Sequence, residues 1–528
     1  MANEVINENI SRTIGKDAQR NNILAAKIIG DIVKTTLGPK GMDKMLVDST
    51  GEIIVTNDGV TILEEMEIDH PAAKMVVEIA KTQENEVGDG TTTAALLAGK
   101  LLENGEKLLD KKIHPTVIIK GYRKATEKSL EILENISRNI SGKEDLKKIA
   151  MTAMTGKGAE GDKEKLAELI VEASYQIGNN KNINLNDIKI QKIKGESADK
   201  SELIKGIVLD KERANNDMPE KIENAKILLI DFPLELRNPE TETKISISTP
   251  EQLESFINSE EKYLKNMTDK IINSGANAIF CQKGIDDVAQ YYLAKSKIIA
   301  CRRVSRSDLE KISKATSGKI ISNIKDITPQ IFGKAGVVEE IKKGDDGMIY
   351  IRECTNPKAV TLIIKGSTDH VIDEIERAIK DGLGDVISAV KSGKIVAGGG
   401  AVEMELSKRL RSFSRTFSGK EQLALEEFAT ALESIPETLA ENAGLDPIEI
   451  ITELKKRHEA GQINAGLNLF NDQITDTFNE GIVEPIKVKS QAIKSASEVA
   501  TMIIRIDDVL MSKNKQHSQI NNPYSGMD

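Results

Sequence analysis

The chain contains no tryptophan, and aromatic residues make up only 3% of its 528 residues. That argues against the aromatic platforms on which single-stranded nucleic acid stacks. There is no excess of positive charge: 73 Lys and Arg stand against 83 Asp and Glu, for a net charge of -10. Such a balance disfavours broad phosphate-backbone binding, so no nucleic-acid partner is expected. Three cysteines, Cys281, Cys301 and Cys354, are too few and too scattered for a disulfide framework or a zinc site. They read as buried thiols. The five histidines form no His-Glu-x-x-His pattern, which speaks against a catalytic zinc. No apolar run approaches the roughly 18 residues of a membrane span. The polar segment MANEVINENISR lacks the apolar stretch of a secretory signal. A soluble, cytoplasmic protein with no membrane partner is expected. A Gly-x-x-x-x-Gly-Lys-Ser/Thr loop is also missing, which excludes a standard P-loop nucleotidase.

What is present is enough chain for three or four domains of roughly 150 residues. Residues 17–36 read as a helix, with Ile23, Leu24, Lys27, Ile28 and Val33 in a helical pattern. Thr36-Leu37-Gly38-Pro39-Lys40-Gly41 breaks it. Ile53–Thr56 and Val60–Leu63 flank Asn57-Asp58-Gly59 and read as a β-hairpin. Pro71 opens a further helix, and a long helical run follows Thr93. Beyond 207, short apolar runs alternate with helical stretches at 250–273 and 285–296, as in an inserted α/β domain. Residues 366–510 are mostly helical, with Val402, Leu406, Leu410 and Phe413 on one stripe. The polar tail after Leu510 reads as disordered. Thr249-Pro250-Glu251-Gln252 carries a cap, a first-turn proline and a capping-box Gln. The helix it starts bears Leu253, Phe256, Ile257, Leu264, Met267 and Ile271. It reads either as an ordinary amphipathic helix or as one that projects toward other chains or unfolded clients.

Gly88-Asp89-Gly90-Thr91-Thr92 is the strongest chemical signal. Two glycines let backbone N–H groups approach an anion, the Thr hydroxyls add donors, and the following helix points its positive end at the same spot. Asp89 would repel a bare phosphate, so a phosphate there implies Mg²⁺ between them. The alternative is a plain polar helix start. Leu37-Gly38-Pro39-Lys40-Gly41 is a second Gly-rich loop, and Asn57-Asp58-Gly59 is either a third or a simple turn. Ala397-Gly398-Gly399-Gly400-Ala401 could lay bare backbone against a flat ligand such as ribose. Asp381 alone reads as a surface charge. Gly156-Lys157-Gly158-Ala159-Glu160-Gly161 spells the dinucleotide fingerprint, but the preceding residues have no strand character, so the match is weak. Together the features suggest one pocket built from both ends of the chain, with the α/β middle as an insertion.

These motifs coincide with a family. Thr36–Met45, Val55–Gly59, His70–Lys74 through Gly88–Ala94, Gly398–Ala401 and Ala440–Pro447 closely resemble a group II chaperonin subunit of the archaeal thermosome type, related to the eukaryotic cytosolic chaperonin. The resemblance spans about Leu24 to Leu510. It implies a multidomain α and α/β chain. An equatorial ATPase domain, mostly helical, comes from both ends (1–140 and 398–528). A small intermediate domain comes in two parts (141–206 and 361–397). An α/β apical domain (207–360) carries a helical protrusion at about 245–275 that serves as a built-in lid. The implied function is ATP-dependent folding: identical or paralogous subunits form two stacked rings of eight or nine and enclose non-native proteins, with no separate co-chaperonin lid.

By resemblance, Asp89 binds Mg²⁺, while Gly88, Gly90, Thr91 and Thr92 cradle phosphate. Leu37, Gly38 and Pro39 lie beside the α- and β-phosphates, and Asp58 and Asp381 position the attacking water. Gly399 and Gly400 contact ribose and adenine, Glu484 accepts from the ribose hydroxyls, and Asn468 meets adenine. Lys157 reaches the γ-phosphate from a sensing loop. ATP and Mg²⁺ are the implied cofactors, with K⁺ as a further ion. Clients are expected along Ile285–Leu293 and near Phe256 and Ile257. Two departures stand out. Gly382 and Gly384 follow Asp381 where relatives carry helix formers, at about 1 kcal/mol each, and are expected to loosen the turn that holds it. The tail from Lys513 lacks Gly-Met repeats. A rival reading is a ring scaffold that binds ATP weakly, against which Asp58, Asp89 and Asp381 stand together. A small-molecule kinase would need an acceptor site, and none is seen.

Overall fold

A computed structural model describes residues 10–47, 51, 53–157, 160–178, 183–236, 249–343 and 346–512. The polar tail from Lys513, residues 245–248 of the expected protrusion, and Gly158 and Ala159 lie outside these. The chain divides into two compact units: one joins both chain ends, up to Asn139 and from Lys394, and the other is Ile140–Gly393.

The unit of the two ends is mostly helical. Its long helices are Lys16–Lys34, Pro71–Val87, Thr91–Asp110, Pro115–Ile136, Ala401–Ser414, Lys420–Asn442, Pro447–Glu459 and Ile486–Ile504. Three of them begin with proline at the first position, where no N–H is needed, behind a capping side chain. Asp446, for example, accepts from Ile448 N at 2.9 Å. The helices share one core in which Ile23, Val76, Leu97, Leu101, Tyr122, Phe428 and Ile493 are buried. Tyr122 meets Phe428 edge-on at 5.5 Å and donates its hydroxyl to Leu101 O at 2.8 Å. Burying this phenol costs little because its one donor is satisfied. The chain ends pair directly: Ile10–Ile14 runs antiparallel to Asp508–Ser512. A small sheet of Val483–Pro485, Lys394–Ala397 and Arg138–Asn139 binds the C-terminal half to the N-terminal half.

Two expectations change here. Leu24 and Ile28 are exposed, and the buried stripe of the first helix is Ile23, Ala26, Ile29, Gly30 and Val33. A single helix offers several apolar tracks, and only its neighbours choose among them. The hairpin is also different. Ile53–Thr56 pairs back with Lys44–Val47, while Gly59–Glu65 is a helix. Asp58 is its cap: Oδ2 accepts from Thr61 N at 2.9 Å and from Thr61 Oγ1 at 2.6 Å. A side chain that satisfies the helix's open amides outweighs the turn preference of Asn-Asp-Gly.

In the other unit, Lys143–Met154, Lys163–Ile177 and Asp369–Ser392 pack together beside a sheet ordered Ile188–Lys194, Val360–Gly366, Glu202–Ile204. A larger sheet runs Ile299–Cys301, Ala278–Cys281, Lys221–Ile230, Gly333–Lys343, Asp346–Arg352, Ile207–Leu209, with Ile320–Ile321 against Lys221–Ile230. Its first three strands are parallel and the rest of that path is antiparallel. This is the expected α/β alternation. All three cysteines are buried and free, and burial pushes the thiols up, to about 12 at Cys281 and about 11 at Cys354.

The helix Pro250–Asn273 starts at Thr249, whose hydroxyl accepts from Gln252 N at 3.3 Å. Leu264, Thr268 and Ile271 are buried, whereas Phe256 and Tyr263 are exposed. The residues expected to meet clients differ in exposure. Ile285, Ala289 and Leu293 belong to the core, and Tyr291 faces outward. In the helix Asp287–Lys295, Ala289, Leu293 and Ala294 lie on the buried face, and Tyr291 lies on the exposed one. The side chains of Leu253 and Ile257 are outside the described residues.

Candidate functional site

The helices Pro71–Val87 and Thr91–Asp110 are separated by three residues, and two of them are left-handed glycines: Gly88 at φ 90° and Gly90 at φ 82°. Gly88 closes the first helix. Gly90 opens the second, and no side chain caps that end. The first turn of a buried 20-residue helix therefore presents its amides without an internal acceptor. A Cβ on Gly90 would stand 2.8 Å from Val488 Cγ1 and 3.0 Å from Gln83 Nε2. Gln83 fixes the loop from below: its Nε2 donates to Asp89 O at 2.8 Å and to Val488 O at 3.2 Å.

The remaining expected residues of this unit connect to this turn or to one another through a series of contacts. A Cβ on Gly59 would fall 2.5 Å from Thr92 Oγ1 and 3.1 Å from Thr91 Oγ1, so the Asp58 cap lies against the Thr91-Thr92 start. Leu37 is buried with Leu467, Leu469 and Leu439, and Asn442 Nδ2 donates to Leu37 O at 2.9 Å. Gly38, at φ 81°, and Pro39 continue that loop. The turn Gly398–Gly400 leads into Ala401–Ser414 through Gly400 at φ 78°. Leu467 N donates to Gly399 O at 2.8 Å, which ties the turn to the strand Ala465–Asn468. Asn468 is buried, and its Oδ1 accepts from Phe470 N at 3.0 Å. Pro436, inside the helix Lys420–Asn442, fills the space a Cβ of Gly400 would need, at 2.6 Å.

Glu484 closes the circuit. It pairs with Val396 across the small sheet, and its Oε2 is 2.8 Å from Lys489 Nζ. Burial raises its carboxyl above the ordinary range. Lys489 opposes this, while Glu403 and Asp89 add negative charge. Thus Leu37, Asp58, Asp89, Thr91, Gly399, Asn468 and Glu484 belong to one connected neighbourhood. Gln83, Lys489 and Glu403 were not anticipated. Gln83 carried a signal, because it interrupts the stripe Val76, Ile79, Ala80, Val87.

Lys157 and Asp381 lie in the other unit, where they form an ion pair with each other. Asp381 is buried rather than a surface charge. The helix Asp369–Ser392 runs through Gly382 and Gly384 without interruption. A Cβ on Gly382 would lie 2.9 Å from Ile170 Cδ1 and 3.5 Å from Met154 Cγ. The glycine thus serves close helix packing instead of loosening the turn.

The arrangement suits a polyphosphate. An uncapped helix start supplies N–H donors and a positive dipole end, and left-handed glycines clear the approach. It also suits a divalent ion held by one carboxylate together with phosphate oxygens and water. Among the described residues no cluster of three His, Cys, Asp or Glu forms an all-protein metal cage. No helix among them is long and apolar enough to cross a membrane.

Comparison with known proteins agrees. The model of the TCP-1/cpn60 chaperonin family matches residues 29–514. The chain is 54% identical to thermosome subunit beta of Archaeoglobus fulgidus and 54% identical to the thermosome subunit of Methanopyrus kandleri, each over 96% of this chain and 94% of the relative. It resembles the open-state monomer of a group II chaperonin from Methanococcoides burtonii, with a TM-score of 0.61 and 47% identity, over 80% of this chain and 100% of that one. The chain belongs to the TCP-1/cpn60 chaperonin family, the ATP-hydrolysing chaperones of protein folding.

Proposed function

We propose that the neighbourhood of Asp89, Asp58, Gly399 and Glu484 binds ATP with Mg²⁺, and that its hydrolysis drives enclosure of non-native proteins. The observation that carries this is the uncapped start of Thr91–Asp110 behind Gly88-Asp89-Gly90. Asp89 would hold the ion, which neutralises phosphate charge when bound. Thr91 and Thr92 donate to phosphate oxygens. Asp58 orients the attacking water; Asp381 and Lys157, paired with each other in the other unit, are the carboxylate and cation that the resemblance assigns to the water and the γ-phosphate. Holding a water in line supplies much of the rate even without full proton abstraction. Gly399, Gly400 and Asn468 receive the base and sugar, and Glu484 accepts from the ribose.

The equatorial, intermediate and apical division fits this reading, with the helix Pro250–Asn273 as part of the lid. Its exposed Phe256 and Tyr263, with Tyr291, offer apolar surface to a client or a neighbouring subunit. Subunits, identical or paralogous, stack in two rings of eight or nine. The direct test is phosphate release by the purified full-length protein. Asp89→Ala should lower turnover by about 100-fold or more with helix content unchanged. Turnover that survives the substitution removes the assignment. A parent protein without turnover points to the scaffold role instead.

A further inference from the structure

Lys489 is buried, yet its charge meets two carboxylates: Nζ lies 2.9 Å from Glu403 Oε1 and 2.8 Å from Glu484 Oε2. Burial alone would pull an ammonium down, but the two carboxylates outweigh it and hold Lys489 above its ordinary value. Glu403 is buried, and its second oxygen, Oε2, has no hydrogen-bond partner. Its polar role is therefore spent on the lysine. Glu484 differs, because its side chain keeps 20% exposure. Oε2 goes to Lys489, whereas Oε1 lies over the triple-glycine turn, 3.0 Å from where a Cβ of Gly398 would be. The turn is held there from the segment that leads into Glu484, since Gly398 N donates to Ile482 O at 2.9 Å. The ammonium thus selects which carboxylate oxygen faces the turn. Without it, neighbouring negative charge favours other rotamers of Glu484.

We propose that Lys489, anchored by Glu403, is a positioning residue that presents Glu484 Oε1 to the ribose hydroxyls and so sets the preference for ribose over dideoxyribose nucleotides. This rests on the ATP reading above and on Glu484 as the ribose acceptor. The experiment compares phosphate release from ATP and from 2′,3′-dideoxyATP by the full-length protein. Lys489→Met should raise KM for ATP about tenfold, with kcat changed by about twofold or less. KM for dideoxyATP should stay in place, so the preference collapses. Leaving the buried Glu403 and the half-buried Glu484 without their lysine is itself destabilising. The double variant Lys489→Met/Glu403→Gln removes one of them and should show the same collapse in a folded protein. A folded double variant that keeps the wild-type preference overturns the proposal. Glu484→Gln separates the layers. If it abolishes the preference while the double variant does not, the ribose reading stands and the positioning role fails. If it too leaves the preference intact, the ribose assignment falls, and the proposal with it.

Discussion

Two helices of this chain are built from similar materials and used in opposite ways. Thr91–Asp110 is buried along most of its length, and its start is left open behind a left-handed glycine. Pro250–Asn273 has its start closed by Thr249, while Phe256 and Tyr263 are exposed along its length. In the first, surrounding helices supply the stability, so the terminus can be kept for a ligand. In the second, the cap must hold the first turn because few neighbours do. The proposed nucleotide site uses an open end inside a packed core, and the proposed partner surface uses a helix with a capped end and a bare face.

The contrast can be broken most sharply within the exposed helix. Ile271→Ala removes a fully buried side chain and should cost about 3 kcal/mol in chemical denaturation. Phe256→Ser, on the same helix, should stay within about 0.5 kcal/mol and weaken only client capture. Equal effects at the two positions would mean that the exposed face is packed. Gly90→Ala tests the open end. With φ 82° and Val488 Cγ1 only 2.8 Å from the new Cβ, it should cost about 2 kcal/mol and impair ATP binding measured by calorimetry. Thr249→Ala should cost about 1 kcal/mol, seen as faster hydrogen exchange in the first turn of its helix. An unchanged exchange rate would mean that the cap holds nothing.

Much of this was legible in the residues. The Gly-Asp-Gly-Thr-Thr start, the proline-opened helices and the alternating middle are local signals, and each recurs in the structure. Other features were not legible. Asn57-Asp58-Gly59 satisfies the rule for a turn as well as the rule for a cap, and only the pairing of Ile53–Thr56 with Lys44–Val47 decided between them. Lys487 and Lys489 look alike in Ile486-Lys487-Val488-Lys489. Two residues apart on a helix, they face nearly opposite ways, so Lys487 pairs with Glu86 at the surface while Lys489 is buried between Glu403 and Glu484. The two glycines after Asp381 looked like weakness until Ile170 and Met154 were seen beside Gly382.

The amino-acid sequence by itself determined where the proline-opened helices begin, where glycines free the backbone at the Gly-Asp-Gly turn, and which family the chain joins. These depend on side chains acting on their own backbone within a few residues. Tertiary structure alone decided which face of the first helix is buried, which lysine carries the buried charge, and which oxygen of Glu484 faces the glycine turn. Those outcomes depend on groups far apart in the chain, and burial makes their pairing strong enough to matter.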